Sequence, residues 1–182
     1  MTDAGPARAL LEDLFDRIRE LVVDLTDDLS DEAGRWRPDP EANTIAWLLW
    51  HATRIQDDHI ADLAAAEQCW PAWRDRFALP FDEWATGYGQ SADEVGKVRV
   101  AAGLLAGYHA DVDQLTRRYL GTLSGDELER IVDTRWDPPV NAAARLVSVV
   151  GDLQQHLGQA AYVRGMLERR DRAWRTPGAA DH

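Results

Sequence analysis

Apolar residues recur at three- and four-residue steps along four long stretches of this 182-residue chain, and two-residue alternation is almost absent. That period belongs to helices with one buried face. The first stretch runs from about Pro6 to Asp27, where Leu10, Leu11, Leu14, Phe15, Ile18, Leu21 and Val22 form the stripe and Pro6 suits a first turn. The second runs from about Thr44 to Glu67, with Asn43 as its expected N-cap. Ser-Ala-Asp-Glu at 91–94 has the pattern of a capping box and opens the third, which continues to about Leu120 and is weakened locally by Gly103 and Gly107. The fourth starts near Asn141 or Ala142 and reaches about Arg169; Leu146, Val149, Val150, Leu153, Ala160, Val163 and Leu167 are its apolar face. Each stripe has to face another, so the chain is expected to be all-α, a four-helix bundle forming one domain over 1–182 with a frayed tail from 175.

The segments between the helices are long, so crossover connections fit as well as tight hairpins. In 29–42, Ser30 can cap a short turn, and Pro38 and Pro40 forbid a continuing helix. Gln68 to Gln90 holds Trp70, Trp73, Trp84 and the run Thr-Gly-Tyr-Gly-Gln-Ser, with a short helix expected around Ala72 to Phe77. A loop this aromatic reads as a functional cover rather than a linker. Ser124 to Glu127 repeats the cap pattern, and 130–141, with Pro138 and Pro139, reads as extended or irregular.

A formal net charge of −12 repels phosphate backbones and anionic membrane surfaces, so neither nucleic acid nor membrane is an expected partner. No apolar run approaches a membrane span and no basic leader precedes one, which makes cytoplasmic residence the expectation. The lone Cys69 argues against disulfides and against a cysteine-rich zinc site; it reads as a small, partly buried side chain beside Trp70 and Pro71.

Histidines carry the remaining chemistry. In the second helix Trp47, His51, Arg54 and Asp58 share one narrow stripe, and Leu48, Ala52, Ile55, His59 and Leu63 share the next. His51 and His59 stand about 12 Å apart along the axis at ~1.5 Å per residue, too far to ligate one ion. In the fourth helix Asp152 and His156 are one turn apart on the face that carries Val149, Ala160 and Val163, so both point inward. An inward carboxylate and imidazole at this spacing, with His51 from a facing helix, are a way to hold a divalent metal with positions left open. The plainer alternatives are a hydrogen-bonded Asp152–His156 pair, a core His51 beside Trp47 and Trp50, and a His59 at the solvent edge. The direction of His109 is not set by spacing.

WRPDPEANTIAWLLWHATRIQDDH, followed some ninety residues later by DLQQHLGQAAYVRG, resembles the DinB-like superfamily, and within it the actinobacterial mycothiol-dependent transferases. The resemblance spans nearly the whole chain. It implies an antiparallel four-helix bundle of up-down-down-up connectivity and a metal site of three histidines. Carried over, His51 takes the first position and His156 the last, while Asp152 stands where a histidine is usual. Two imidazoles and a carboxylate also suit a metal; zinc and nickel are the ions expected. The motif gives Gln159 and Arg164 possible places toward a ligand, with Trp47, Trp50 and Tyr88 as pocket walls. The implied function is S-transfer from a mycothiol-type thiol, activated by the metal, to a small electrophile. The alternative is a metal- or ligand-binding bundle of stress-response type without turnover, and a homodimer is plausible for either.

Overall fold

Thr44, not Asn43, caps a helix that is buried along most of its length: its hydroxyl accepts from the Trp47 amide at 3.1 Å while its own backbone is extended. The computed structural model describes residues 4–175, so the fraying expected of the tail beyond 175 lies outside the described residues. In chain order the elements are α1 (Gly5–Thr26), α2 (Asp31–Arg35), α3 (Ile45–Ala64), α4 (Trp70–Phe77), α5 (Ala92–Val95), α6 (Ala102–Leu120), α7 (Gly125–Glu129), a hairpin of β1 (Ile131–Asp133) and β2 (Val140–Asn141), and α8 (Ala142–Arg175). The described chain is therefore mostly helical, as the periodicity requires. Pro6 stands in the first turn of α1, and Ser30, Ser91 and Ser124 cap α2, α5 and α7 through their side chains.

Three stretches differ from the sequence expectation for local reasons. α3 stops at Ala64, short of Glu67, because Ala65 takes a left-handed conformation with φ 48°. The third helix is not continuous: it breaks after α5, and residues 98–101 are non-helical, with Ala101 extended, before α6 begins. There Val98 and Val100 are buried while Lys97 and Arg99 are exposed. Two β-branched side chains two residues apart reach the core together only on extended backbone, and that burial outweighs helix continuation. The 130–141 stretch, by contrast, is extended in part as expected, and it pairs into a short antiparallel ladder, with Ile131 opposite Asn141 and Asp133 opposite Val140. α8 in turn runs past Arg169.

Four long helices form the core. α3 packs on α6 and α8, and α1 packs on the same two. Trp50, Phe15, Leu48, Leu49, Leu146, Leu153 and Leu157 are among the fully buried side chains, each such burial contributing roughly 1.5–3 kcal/mol. α3 and α8 run antiparallel, since His51 faces the 152–156 turn while His59, two turns on, meets Arg145, earlier in α8. No helix among the described residues is long and apolar enough to cross a membrane.

Candidate metal centre

Trp47, His51 and Arg54 form a polar stripe on an otherwise buried helix, so their hydrogen-bonding groups need partners. The loop that follows α4 supplies them. His51 Nδ1 lies 2.6 Å from the Thr86 carbonyl. A carbonyl can only accept, so Nδ1 carries the proton and the Nε2 lone pair is left free. Trp47 donates its indole N–H to the Gln90 side-chain oxygen at 2.8 Å. Arg54 donates to the Ala85 and Trp84 carbonyls at 3.1 and 3.3 Å. Between these contacts Gly87 adopts φ +95°, and a Cβ there would come within 2.9 Å of His51 Nδ1 and 3.0 Å of Trp50 Cζ3. Only glycine fits both the turn and the approach.

α8 provides the opposing half. His156 Nδ1 donates to the backbone carbonyl of Asp152 at 2.8 Å, which again leaves Nε2 free. The His51 and His156 rings meet edge-on, 4.6 Å between centroids, and Trp47 stacks on His51 at 4.7 Å. His51, Asp152 and His156 each offer a ligand atom, all within 4.8 Å of one another. Donors on one tetrahedral ion stand about 3.3 Å apart, so small side-chain rotations close the set. Asp152 Oδ2 is buried with no hydrogen bond of its own, although the His156 ring nitrogen lies 3.3 Å away. A buried carboxylate oxygen left without a hydrogen-bonding partner, beside two imidazoles with free lone pairs, fits a cation.

The local electrostatics agree with that arrangement. Burial holds the His51 imidazole below its usual range, against the Thr86 carbonyl and the Asp152 charge, which favour protonation. Burial opposes ionisation of Asp152, but His156, with His51 and His59 behind it, keeps the carboxyl below the usual range. The Asp152 side chain in turn holds His156 above its ordinary value. The trio therefore combines a carboxylate whose charged form is favoured, an imidazole whose neutral form burial favours, and a second imidazole on which Asp152 favours the positive charge that a bound cation would replace.

The other residues named from sequence are distributed around this centre. Trp47 covers it. Trp50 is fully buried and packs against Phe81 and Trp70, centroids 5.7 and 6.3 Å away. Tyr88 is 90% exposed, at the tip of the loop that clasps His51. Gln159 is exposed, one turn beyond His156. Arg164 stands two turns beyond His156, pairs with Glu168 at 3.1 Å, and donates to the Asp24 and Leu25 carbonyls at the end of α1. His59 accepts from Arg145 at 3.1 Å and is outside the donor group. His109 is buried on α6, its imidazole pushed down to about 4 by burial. Burial raises the Cys69 thiol to about 12, which makes it a poor nucleophile.

Thr86, Gly87 and Gln90 escape a reading of residue types, because Thr86 acts through its backbone and Gly87 through having no side chain. The glycine pair in Thr-Gly-Tyr-Gly was the available signal. Behind the clasp lies a second network. Arg54 and Asp57, both fully buried, stand 3.5 Å apart, and Asp57 accepts from the Cys69 and Trp70 amides and from Tyr108. It fixes the start of the 68–90 segment to the helix that carries His51.

An all-α fold with two imidazoles and a carboxylate converging between two of its long helices defines a helical protein with a candidate metal centre. The chain belongs to the mycothiol-S-transferase family, whose model matches residues 10–169. A crystal structure of a conserved protein from Enterococcus faecalis is 29% identical, with a TM-score of 0.80 over 90% of this chain and 96% of that one. Nothing among curated proteins matches the chain.

Proposed function

We propose that this protein is a metal-dependent thiol S-transferase that joins a mycothiol-type thiol to a small electrophile. The carrying observation is the convergence of His51, Asp152 and His156, in a chain whose family is named for that transfer. When bound, a divalent cation, zinc or nickel, supplies the positive charge that draws a thiol into its thiolate form at neutral pH. The rest falls to the chain's own residues. Thr86 and the Asp152 carbonyl fix the tautomers that turn both Nε2 atoms to one point. Trp47 shields the His51 ring from water. Ser148, Gln155 and Gln159 are exposed on the α8 side, and Tyr88 is exposed at the tip of the loop that holds His51, so these side chains are the ones available to an electrophile that approaches from solvent.

The architecture we assign to this chemistry is a single four-helix bundle with up-down-down-up connectivity. It is supported by the antiparallel pairing of α3 with α8, and of α1 with α6, where Arg8 reaches the Gly121 carbonyl and Arg117 pairs with Asp16.

Turnover is tested by incubating zinc- or nickel-loaded protein with mycothiol and a bimane halide. A conjugation rate above the metal-free control, lost in His156→Ala, is expected. A rate equal to the control, with metal bound, would instead favour a ligand-binding bundle without turnover.

A further inference from the structure

The two helices that carry the metal donors also line a cleft. Two turns along α3 from His51, and two turns back along α8 from Asp152, lies a cleft of about 630 Å³ lined by Asp58, His59, Asp62, Asp133, Thr134 and Arg145, among others. The β1–β2 hairpin closes its far side. Arg145 bridges the two walls, donating to Asp133 and to His59, both at 3.1 Å. Arg135 also holds Asp133, at 2.8 and 3.0 Å, and Asp58 accepts from Gln68 at 2.8 Å. His59 is near enough to Asp152 to feel its charge, and along α3 it stands about 12 Å from His51 at ~1.5 Å per residue, a span that one extended small molecule can bridge.

The lining narrows the ligand. Three carboxylates repel a free anion. Two guanidiniums, already paired to Asp133 or His59, offset the field a simple cation would need. The cleft also lacks a close-set metal cluster, since among the described residues only the His51, Asp152 and His156 group qualifies. An apolar molecule would strand these polar groups. A neutral molecule dense in hydroxyls matches them, because each hydroxyl donates to a carboxylate and accepts from an N–H. Mycothiol carries its cysteine on an amino sugar joined to inositol, which is such a molecule with the thiol at one end.

We propose that this cleft is the subsite for the hydroxyl-rich head of the thiol co-substrate, anchoring the head while the sulfur reaches the metal donors. The inference rests on the transferase reading above and assigns that site its selectivity for the thiol. Asp62 and Thr134 line the cleft, and no hydrogen bond of the Arg145 network runs through their side chains, so they can be changed without dismantling it.

The test uses full-length, metal-loaded protein and isothermal titration with two probes: mycothiol, and N-acetylcysteine, which has the thiol but no polyol. Wild type is expected to bind mycothiol at least tenfold more tightly. In D62A/T134A, which removes two hydrogen-bonding groups, that preference should fall by about tenfold. In D62W, which fills the cleft, it should vanish. Metal content, measured separately, should match wild type in both variants. Equal binding of the two thiols by wild type, or an undiminished preference in both variants, would overturn the subsite and leave the transferase reading standing. Binding of neither thiol by metal-loaded wild type would overturn both.

Discussion

Gly87 contributes no side chain, and that is how the Thr86 carbonyl reaches His51. Replacing it with alanine forces a Cβ to 2.9 Å from the ring nitrogen at φ +95°. The strain costs about 1–3 kcal/mol, and part of it is relieved by turning His51 away. Gly87→Ala is therefore expected to weaken metal binding by about tenfold or more, within the range for orienting partners of a ligand. Competition with a chromophoric chelator measures it, and an unchanged affinity would remove the clasp from the account. At this scale the sequence was informative about donors and silent about their supports. Helical spacing puts Asp152 and His156 on one inward face, because each acts through its side chain, whereas the choice of His51 as their partner rested on the family resemblance. The Thr86 contact depends on backbone geometry in a loop, which no residue type announces.

Among the elements, α3 ties the site to the core. Its Asp57 accepts two backbone amides from the start of the 68–90 segment and faces Arg54 in full burial. Asp57→Ala leaves that guanidinium without its counter-charge and two amides unpaired, a loss expected to cost about 3–5 kcal/mol in urea unfolding. Tyr108→Phe removes one bond to Asp57 and one from Arg54 and should cost about 1–2 kcal/mol. A change under 0.5 kcal/mol in Asp57→Ala would show that the segment is held by its tryptophans alone. Element by element, strongly periodic helices and serine caps were legible. The break at 96–101 was not, because the capping box at Ser91 and the apolar residues from Leu104 onward read as one helix, and only the core that Val98 and Val100 both meet shows that the chain between them alternates. Asn43 and Thr44 are both acceptable caps, and backbone entry angle chose between them.

For the whole molecule, the packing of four long helices followed from four apolar stripes, whereas which helices neighbour which did not, since long connectors permit several arrangements. The core these helices enclose also carries a pH sensitivity. His109 is fully buried with Nε2 unpartnered, and its pKa is lowered from 6.5 to about 4 by burial. Below pH 6.5 the unfolded chain takes up a proton that the folded chain refuses, so stability falls as pH drops from 6.5 toward 4 and the contribution levels off below that. The full effect is up to about 3 kcal/mol. His109→Leu is expected to remove this part of the acid limb in denaturation curves taken across that window; an unaltered limb would place the titration elsewhere. The central claim concerns the convergence of three side chains on one cation, and elemental analysis of protein prepared without a histidine tag tests it most directly. Wild type should carry about one divalent metal per chain, and His51→Ala and Asp152→Ala, folded by circular dichroism, should each lose most of it; equal metal content in wild type and both variants would contradict the site.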